Sequence, residues 1–315
     1  MSTRRVLITG VSGFVGRHLT RALLARGEQV FGLGAEPASV DLRSALHEEW
    51  QADLRDLAAM IEVVEQARAD AIVHLAAQSS ASQSFANPTE TYHVNAVGAW
   101  NLLEAIRRTT PKARVLLVGT GEIYGPQAEG TRVREDAPFH PVNPYALSKA
   151  VADAIAEVMA RSNGLDVIRT RSFGHIGPGQ TTRFVIPSVA QQIAAIEAGR
   201  AEPVLKVGNL AVTRDMIDAR DVVDAYVALL DRGRNGVAYN VCGGEAVKLA
   251  DLVHHLVRRS RVPIQIETDP ARMRPADVPY LVGDPTRIET ETGWRKSIPL
   301  DRTLDDVMEE WRAVA

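Results

Sequence analysis

The sequence predicts an α/β fold built on a doubly wound parallel sheet. Two observations support this prediction. Short apolar runs rich in β-branched residues alternate with amphipathic stretches of helical length along the first half of the chain. Most of these runs are apolar throughout, which is typical of strands buried on both faces. Such alternation requires right-handed crossovers between parallel strands, with helices on both sides of the sheet.

The first half of the chain contains five predicted strands and four predicted helices, besides a short strand before Asp53. Asp56 is suited to cap the second helix, and Gly27 and Gly164 are suited to end the first and the fourth. The predicted strands are Val6–Thr9, Gln29–Leu33, Ala71–Leu75, Arg114–Gly119 and Asp166–Arg171, and the predicted helices are Phe14–Arg26, Leu57–Ala69, Thr89–Arg108 and Pro144–Ser162.

The regular alternation becomes looser after about residue 172, where proline and glycine cluster. We therefore expect residues 1–172 to form the main domain, with segments from about 210 to 245 returning to it. Residues 173–315 are expected to form mainly a smaller, interleaved lobe that supplies substrate contacts. Its predicted elements are the helices Val185–Ala198, Val222–Asp231 and Lys248–Arg258, the strand Ala238–Val241 and a terminal helix from Leu300.

Composition excludes several classes of protein. The 315 residues carry a formal net charge of -3 with no block of basic residues, so we expect neither a nucleic-acid partner nor an anionic membrane surface. Cys242 is the only cysteine, which excludes an internal disulfide. The eight histidines show no ligand spacing, so we expect no metal site. No apolar run approaches the roughly 20 residues of a membrane span. The expectation is a cytoplasmic enzyme.

A glycine-rich turn follows the first strand and opens the first helix. Gly10 permits a tight turn, Gly13 lets backbone amides approach a pyrophosphate, and Gly16 lets the helix pack closely on the strand. Glycines at such turns are common for local reasons, but the position between strand and helix favours dinucleotide binding. The other residues expected to contact the dinucleotide here are Ser12, Phe14 and Val15.

The sequence leaves the choice between NAD and NADP open. An acid at the end of the second strand binds the ribose 2′-hydroxyl, and an arginine binds a 2′-phosphate. The segment Gly32–Glu36 offers neither at the expected place, and Glu36 could equally be a solvated loop acid. Asp53 and Leu54, after the short third strand, could lie at the adenine edge, although Asp53 could also be a capping or surface acid.

Tyr145 and Lys149 form the predicted catalytic pair. They lie four residues apart near the start of a helix and therefore share one face. A nearby ammonium, the helix N-terminus and the positive ring of an oxidised nicotinamide would all lower the phenol pKa towards neutrality. Thr120 is the hydroxyl at the tip of the fifth strand, placed to bond the substrate oxygen. Glu122 could act as an acid or base, or be a loop carboxylate held by backbone amides.

These motifs resemble the extended short-chain dehydrogenase/reductase family, and the likeness runs from about Arg4 to Trp311. The resemblance implies a Rossmann-like fold and a nucleoside-diphosphate sugar as substrate, with a GDP sugar favoured. The segments that support it are His74–Ser80, His175–Gln180, Lys206–Leu210 and Arg274–Pro279, of which the last two are the more specific.

The implied activity is NAD(P)H-dependent reduction of a 4-keto-6-deoxyhexose, most specifically of GDP-4-dehydro-6-deoxy-D-mannose to GDP-D-rhamnose. A 4,6-dehydratase or a 4-epimerase that recycles its own cofactor is the alternative. A non-catalytic dinucleotide sensor is more remote, because sensors with this fold normally lack the tyrosine or the lysine. A homodimer is also expected.

The resemblance also implies roles for individual residues. Tyr145 would be the acid/base, Lys149 would hold the nicotinamide ribose, and Asn95 would brace the site. The loop around Pro178 would lie near the carboxamide. The cofactor would further be lined by Leu75, Ala76, Ala77, Gln78 and Ile176. Ser80, Ser84 and Glu122 would face the hexose, and the other substrate contacts would be Gly174, Val185, Lys206, Asn209, Arg214, Arg274 and Asp277.

Some positions depart from the pattern of the family. Gly174 stands where an asparagine that touches the sugar nucleotide is usual. Gly119 and Gly121 replace serines around the catalytic hydroxyl, and Asp277 replaces a longer glutamate. The absence of an arginine-rich stretch after the second strand favours a reductase over a dehydratase.

Overall fold

The structure is a computed structural model that describes residues 3–273 and 277–315. The strands, in chain order, are β1 Arg5–Thr9, β2 Gln29–Gly34, β3 Glu48–Gln51, β4 Ala71–His74, β5 Arg114–Thr120, β6 Asp166–Ser172, β7 Gly174–Ile176, β8 Val204–Val207, β9 Thr213–Arg214, β10 Met216–Asp218, β11 Ala238–Val241, β12 Val247–Lys248, β13 Gln265–Thr268 and β14 Tyr280–Leu281.

The helices surround the strands. In chain order they are α1 Phe14–Ala25, α2 Val40–Ala45, α3 Leu57–Ala67, α4 Ala81–Ala86, α5 Pro88–Tyr92, α6 Gly98–Thr109, α7 Pro144–Asn163, α8 Val185–Glu197, α9 Ala219–Arg232, α10 Leu249–Arg258, α11 Thr286–Thr292 and α12 Leu300–Ala313. A π-helical segment, His93–Val97, joins α5 to α6, and short 3₁₀ turns occupy Gly121–Tyr124 and Pro270–Arg272.

A seven-stranded parallel sheet is the centre of the fold. Its strand order is β11-β6-β5-β4-β1-β2-β3, and every neighbouring pair is parallel. The chain first winds outwards from β1 through β2 to β3, then returns to β4 on the other side of β1. The winding direction therefore reverses between β1 and β4, and ligands of such sheets bind beyond the carboxyl ends of the strands at this reversal. The predicted fold class is confirmed.

Two hydrophobic layers cover the sheet, one on each face. Val6 and Ile8 of β1 face a layer formed with α1, α2 and α9, whereas Leu7 faces a layer formed with α3, α6 and α7. Because side chains alternate along a strand, a run that is apolar throughout supplies both layers. A third cluster lies outside the sheet, where α8, α10 and α12 pack around β8. This cluster lies in the part of the chain where the sequence predicts the smaller lobe.

The predicted helices and strands are confirmed within a few residues. The predicted continuous helix over Thr89–Arg108 contains the π-helical segment His93–Val97, which precedes α6. Three short helices, α2, α4 and α11, were not predicted. They contain six, six and seven residues, too few to show a 3.6-residue period. Among the described residues, no helix is both long and apolar enough to cross a membrane.

Candidate active site

The glycine-rich turn brings the chain beyond β4 against the end of β1. Gly10 has φ +74°, and a Cβ added there would lie 2.8 Å from the backbone nitrogen of Ala76. A Cβ on Gly16 would lie 2.3 Å from the carbonyl oxygen of Gly10. Any side chain at either position would push the turn, α1 and the Ala76 segment apart. Leu75 and Ala76 therefore lie beside the turn, where the sequence places the cofactor.

The N-terminus of α1 fits a dinucleotide pyrophosphate. Gly13 occupies the N-cap position and supplies no side-chain hydrogen bond, and the first turn contains no acidic residue. The backbone N–H groups of Phe14, Val15 and Gly16 have no partner within the helix, because a helix leaves its first N–H groups unpaired. Unpaired N–H groups and the positive end of the helix dipole attract phosphate. This chain therefore has a suitable site for the group that the turn predicts.

A buried threonine–histidine pair fixes the start of the segment after β4. The Thr9 hydroxyl lies 2.8 Å from His74 Nδ1, and the backbone N–H of Ala76 donates to the Thr9 Oγ1 at 3.2 Å. Burial lowers the pKa of His74 to about 3, so its ring is neutral and can accept the threonine proton. The pair holds Leu75 and Ala76 at the carboxyl ends of β1 and β4.

Asn95 connects the predicted cofactor segment to the catalytic helix. Its side-chain oxygen accepts from the Gln78 backbone N–H at 2.8 Å, and its amide nitrogen donates to the Gln78 carbonyl oxygen at 3.0 Å. The same nitrogen donates to Ser148 Oγ at 2.9 Å, and this hydroxyl in turn donates to the Tyr145 carbonyl oxygen. Asn95 lies in the π-helical segment. The side chain of Asn95 thus joins Gln78 to the first turns of α7.

Tyr145, Thr120 and Glu122 come together where β5 ends and α7 begins. The Thr120 hydroxyl accepts from the Glu122 backbone N–H at 3.2 Å and also bonds with the phenol of the half-buried Tyr145. Asn143 caps α7 by accepting from the Ala146 N–H at 2.7 Å, and it donates to Glu122 Oε2 at 3.1 Å. One N-cap residue therefore both starts the catalytic helix and holds the carboxylate beside the phenol.

The pKa of Tyr145 differs from the sequence-based expectation. Burial of the phenol and the negative charge of Glu122 raise this pKa above its ordinary value, and the bond with Thr120 offsets only part of the rise. The sequence predicted that neighbouring groups lower the pKa of the Tyr145 phenol. For the groups of the protein itself, this prediction is wrong. Burial is the main reason, and Lys149, whose Nζ donates to the Val118 carbonyl oxygen at 2.6 Å, does not offset it. The protein's own groups therefore favour the protonated phenol.

Lys149 carries a buried charge that the helix itself supports. Burial lowers the pKa of Lys149 to about 8, and the charge of Asp153, one turn further along α7, opposes this lowering. Asp153 is itself buried and accepts from Arg169 Nη1 at 2.6 Å and from Arg171 Nε at 3.1 Å. These two arginines project from β6. The ion pairs thus fasten the catalytic helix to the sheet beneath it.

The residues predicted at the adenine edge lie at the surface or in the core. Asp53 is exposed and accepts from Arg55, whose guanidinium holds the pKa of Asp53 below its usual range. Leu54 is buried, and its carbonyl oxygen accepts from Asn101 at 2.9 Å. Glu36 is exposed beyond β2. None of these three residues makes a contact that favours a ribose hydroxyl over a ribose phosphate.

Three predicted nucleotide contacts meet in the smaller lobe. Asp277 Oδ2 accepts from Asn209 Nδ2 at 3.1 Å, and Asp277 Oδ1 accepts from Arg214 Nη2 at 3.1 Å. Arg214 Nη1 also donates to the Val278 carbonyl oxygen. Asp277 therefore orients an amide and a guanidinium, a pair of groups suited to phosphate oxygens. Arg274 lies outside the described residues.

The other predicted substrate contacts are more dispersed. Lys206 is exposed on β8, and Val185 is half-buried at the first position of α8. Ser80 caps α4 by accepting from the Gln83 N–H at 3.2 Å. Ser84 is buried and donates to the Ala81 carbonyl oxygen, so its hydroxyl holds α4 in this structure.

Packing explains the glycines at positions 174 and 119. A Cβ on Gly174 would lie 2.2 Å from the Met216 Sδ and 2.8 Å from the Asp215 carbonyl oxygen, because β7 pairs with β10. A Cβ on Gly119 would lie 2.4 Å from the Thr170 carbonyl oxygen. An asparagine at 174 or a serine at 119 would therefore require the neighbouring chain to move. Ile176, predicted to contact the cofactor, is buried in the third hydrophobic cluster.

Sequence reasoning missed several residues that build the site. Asn143, Ser148 and the Thr9–His74 pair connect the predicted catalytic and cofactor residues, but none was assigned a role in the site. The Asn-Pro sequence before Tyr145 was the one available signal for Asn143, because asparagine followed by proline is typical of a helix start. The partners of Ser148 and Thr9 are too distant in sequence to be deduced.

This arrangement, a dinucleotide turn and a tyrosine–lysine helix at the carboxyl edge of one parallel sheet, is that of the extended short-chain dehydrogenases/reductases. A family model described as GDP-mannose 4,6 dehydratase matches residues 7–307. The chain is also 36% identical to the GDP-6-deoxy-D-mannose reductase of Pseudomonas aeruginosa, a match that covers 99% of this chain and 98% of that protein. The chain therefore belongs to the GDP-mannose 4,6-dehydratase family.

Other relatives show the breadth of this similarity. A GDP-mannose 4,6-dehydratase of Vibrio cholerae is 29% identical over 98% of this chain and 93% of that protein. The solved structure of RMD from P. aeruginosa complexed with NADPH has a TM-score of 0.87 at 33% identity, covering 99% of this chain and all of that one. The UDP-glucose 4-epimerase of Thermus thermophilus, solved with NAD, has a TM-score of 0.89 at 27% identity, covering 99% of this chain and all of that one. The prediction of an NAD(P)-dependent nucleotide-sugar oxidoreductase is confirmed at the level of the family.

Proposed function

We propose that this protein reduces the 4-keto group of GDP-4-dehydro-6-deoxy-D-mannose with NAD(P)H and forms GDP-D-rhamnose. The observation that carries this proposal is the full-length match to a GDP-6-deoxy-D-mannose reductase at 36% identity, compared with 29% for the dehydratase. The site chemistry supports the same direction of reaction. A reductase needs a proton donor when the hydride arrives, and burial and the charge of Glu122 raise the pKa of the Tyr145 phenol, which favours its protonated form.

The proposed roles follow from the positions of the residues. Bound NAD(P)H would supply a hydride for carbon 4 of the sugar. Thr120 would donate to the substrate keto oxygen and orient it towards Tyr145, which gives up its phenolic proton as negative charge develops there. Lys149 would hold the nicotinamide ribose. We propose that the sheet domain binds the dinucleotide, and that residues 173–315 mainly bind the nucleotide sugar.

The nucleotide part of the substrate would bind in the smaller lobe. Asp277 orients Arg214 and Asn209, and the planar guanidinium of Arg214 suits a diphosphate because it can donate two parallel hydrogen bonds. The turn residues Gly10–Gly16 and the segment Leu75–Gln78 would line the cofactor. Among the described residues, no group of three potential metal ligands was found, and the proposed reaction uses none.

The experiment that tests this function compares two reaction mixtures. In the first, purified protein receives GDP-mannose alone. In the second, it receives GDP-mannose, a GDP-mannose 4,6-dehydratase, and NADH or NADPH. We expect no reaction in the first mixture and, in the second, a product two mass units heavier than the 4-keto sugar, with one reduced cofactor consumed per product. Conversion of GDP-mannose to the 4-keto sugar in the first mixture would contradict the proposal.

A 4,6-dehydratase is the second candidate, because Glu122 lies beside Tyr145. Asn143 Nδ2 donates to Glu122 Oε2 at 3.1 Å, and the charge of this carboxylate raises the pKa of the Tyr145 phenol. A carboxylate in this position could remove a proton from carbon 5 of the sugar, a step that a dehydratase requires. In that case Glu122→Gln would abolish conversion of GDP-mannose. For a reductase we expect the same variant to keep most of its activity.

We also propose that the protein forms a homodimer in the cytoplasm. Leu147, Val151 and Val158 are each more than 40% exposed along one side of α7, and Trp100 is similarly exposed on the adjacent α6. A second copy of this apolar surface would bury these side chains. We expect a dimer by light scattering and a monomer for Val151→Glu, whereas a monomeric wild-type protein would exclude this interface.

A further inference from the structure

The loop 177–180, between β7 and α8, is held by side chains from both lobes. Arg17 Nη2, on α1, donates to the Gly179 carbonyl oxygen at 2.6 Å. Glu310 Oε2, on α12, accepts from the Gly179 backbone N–H at 2.8 Å. His18 Nε2 lies 2.8 Å from the Pro178 carbonyl oxygen and donates to it. Oppositely charged groups therefore bind the two backbone polar groups of a single glycine.

The strand β7 and the loop that follows it lie against the first turn of α1. The ring of Phe14, the first residue of that helix, stacks on His175 with the ring centroids 6.1 Å apart and an interplanar angle of 12°. A Cβ on Gly177 would lie 3.5 Å from the end of the Phe14 ring. Gly179 has φ +87°, a conformation that gives this turn its sharp bend. The loop thus lies against the helix end where the pyrophosphate is expected.

We propose that Arg17 and Glu310 are positioning residues that clamp the loop 177–180 and so set the affinity for both the dinucleotide and the sugar nucleotide. The inference rests on the proposed function, because it assumes that these two ligands meet beside the loop. The clamped segment separates β7, which carries Gly174, from Val185 at the start of α8. A loop ordered before binding loses less conformational entropy when the ligands bind.

The contacts at Gly179 are stronger than ordinary loop contacts. Each pairs an ionised side chain with a backbone group, and such charge-assisted bonds are roughly twice as strong as neutral ones. Glu310 also lies near the end of the last helix, so it connects that helix to the loop that Arg17 holds from the sheet domain. Loss of either side chain should release one side of the Gly179 peptide and leave α1 and α12 in place.

The first test concerns Glu310. In Glu310→Ala, we expect the dissociation constant for NADPH, measured by calorimetry on the full chain, to rise about fivefold to tenfold. The KM for the sugar nucleotide should rise with it, and kcat should stay within about twofold, because the reacting groups are untouched. Glu310→Gln should recover about half of the lost binding free energy, since an amide oxygen still accepts from the Gly179 N–H but carries no charge. A purely structural role would not predict this rescue.

The matched controls lie on the same helices. Glu309→Ala removes the neighbouring carboxylate, which contacts the exposed side of Arg312, and should leave the dissociation constant unchanged. On α1, Arg17→Ala should weaken NADPH binding by a similar factor, whereas Arg21→Ala, at an exposed position one turn away, should not. If Glu310→Ala does not fold, the comparison of Arg17→Ala with Arg21→Ala tests the clamp independently.

Hydrogen exchange provides a readout that does not depend on catalysis. In Glu310→Ala, amides of the segment 177–184 should exchange faster than in the wild type, while those of α1 keep their protection. Unchanged NADPH affinity and unchanged exchange in both Glu310→Ala and Arg17→Ala would overturn the clamp. A wild-type protein that binds NADPH but does not reduce the 4-keto sugar would instead contradict the proposed function and leave these binding results valid.

Discussion

Replacing the buried Lys149 by methionine should stabilise the protein at neutral pH and remove its function. Lys149 is 4% exposed, and burial lowers its pKa from 10.5 to about 8. A shift of this size corresponds to about 3 kcal/mol of unfavourable free energy in the folded state. Methionine fills a similar volume without the charge but loses the hydrogen bond to Val118, which is worth about 1 kcal/mol. We therefore expect Lys149→Met to be more stable than the wild type by about 2 kcal/mol at pH 7.

The advantage of the variant should disappear as the pH rises. Below pH 8, Lys149 is protonated in both the folded and the unfolded chain, so the wild type carries the whole penalty. Between about pH 8 and 10.5, the unfolded chain keeps this proton and the folded chain does not, so wild-type stability rises with pH. At pH 9.5, the wild type should have recovered about 2 kcal/mol and should match the variant.

Urea denaturation at pH 7 and 9.5, followed by tryptophan fluorescence, measures both differences. Lys112→Met, at an exposed position, is the control and should show the same difference from the wild type at both pH values. The variant Lys149→Met should also bind NADPH more weakly, because the proposed ribose contact is lost. A stability difference between the wild type and Lys149→Met that does not change with pH would refute this reasoning.

Three further predictions concern catalysis, substrate binding and packing. Tyr145→Phe should lower kcat by about 10² to 10⁴-fold with little change in KM, as measured by NADPH oxidation, since the phenol acts only as charge develops on oxygen; activity within a few-fold of the wild type would exclude Tyr145 from the mechanism. Arg214→Ala should raise the KM for the sugar nucleotide by about tenfold or more at nearly constant kcat. Asp277→Ala should raise this KM less. If both variants keep the wild-type KM, the nucleotide binds at another place. Gly174→Ala should lower the free energy of unfolding by about 1–3 kcal/mol, because the added methyl group would meet Met216. In the double variant, Met216→Ala should relieve part of that loss. If urea denaturation shows that the two substitutions change the free energy of unfolding additively, this packing is contradicted.

The sequence alone determined the sheet and the chemical groups at its edge. Strands such as Val6–Thr9 are apolar throughout because they are buried on both faces, and this pattern is local. The turn at Gly10 follows from one strand and one helix that are adjacent in sequence. The spacing of Tyr145 and Lys149 places them on one helical face without reference to the rest of the chain. Each of these inferences uses residues that are near one another in sequence.

Only the tertiary structure decided how those groups act. It showed that Lys149 bonds to Val118 and leaves Tyr145 with a raised pKa, because burial and the position of Glu122 depend on packing between elements. It also joined Asp277 to Arg214, and Glu310 to Gly179 across 131 positions of the chain. Such contacts leave no periodic or local pattern in a single sequence. They arise where separate elements pack, and packing is set by the whole fold.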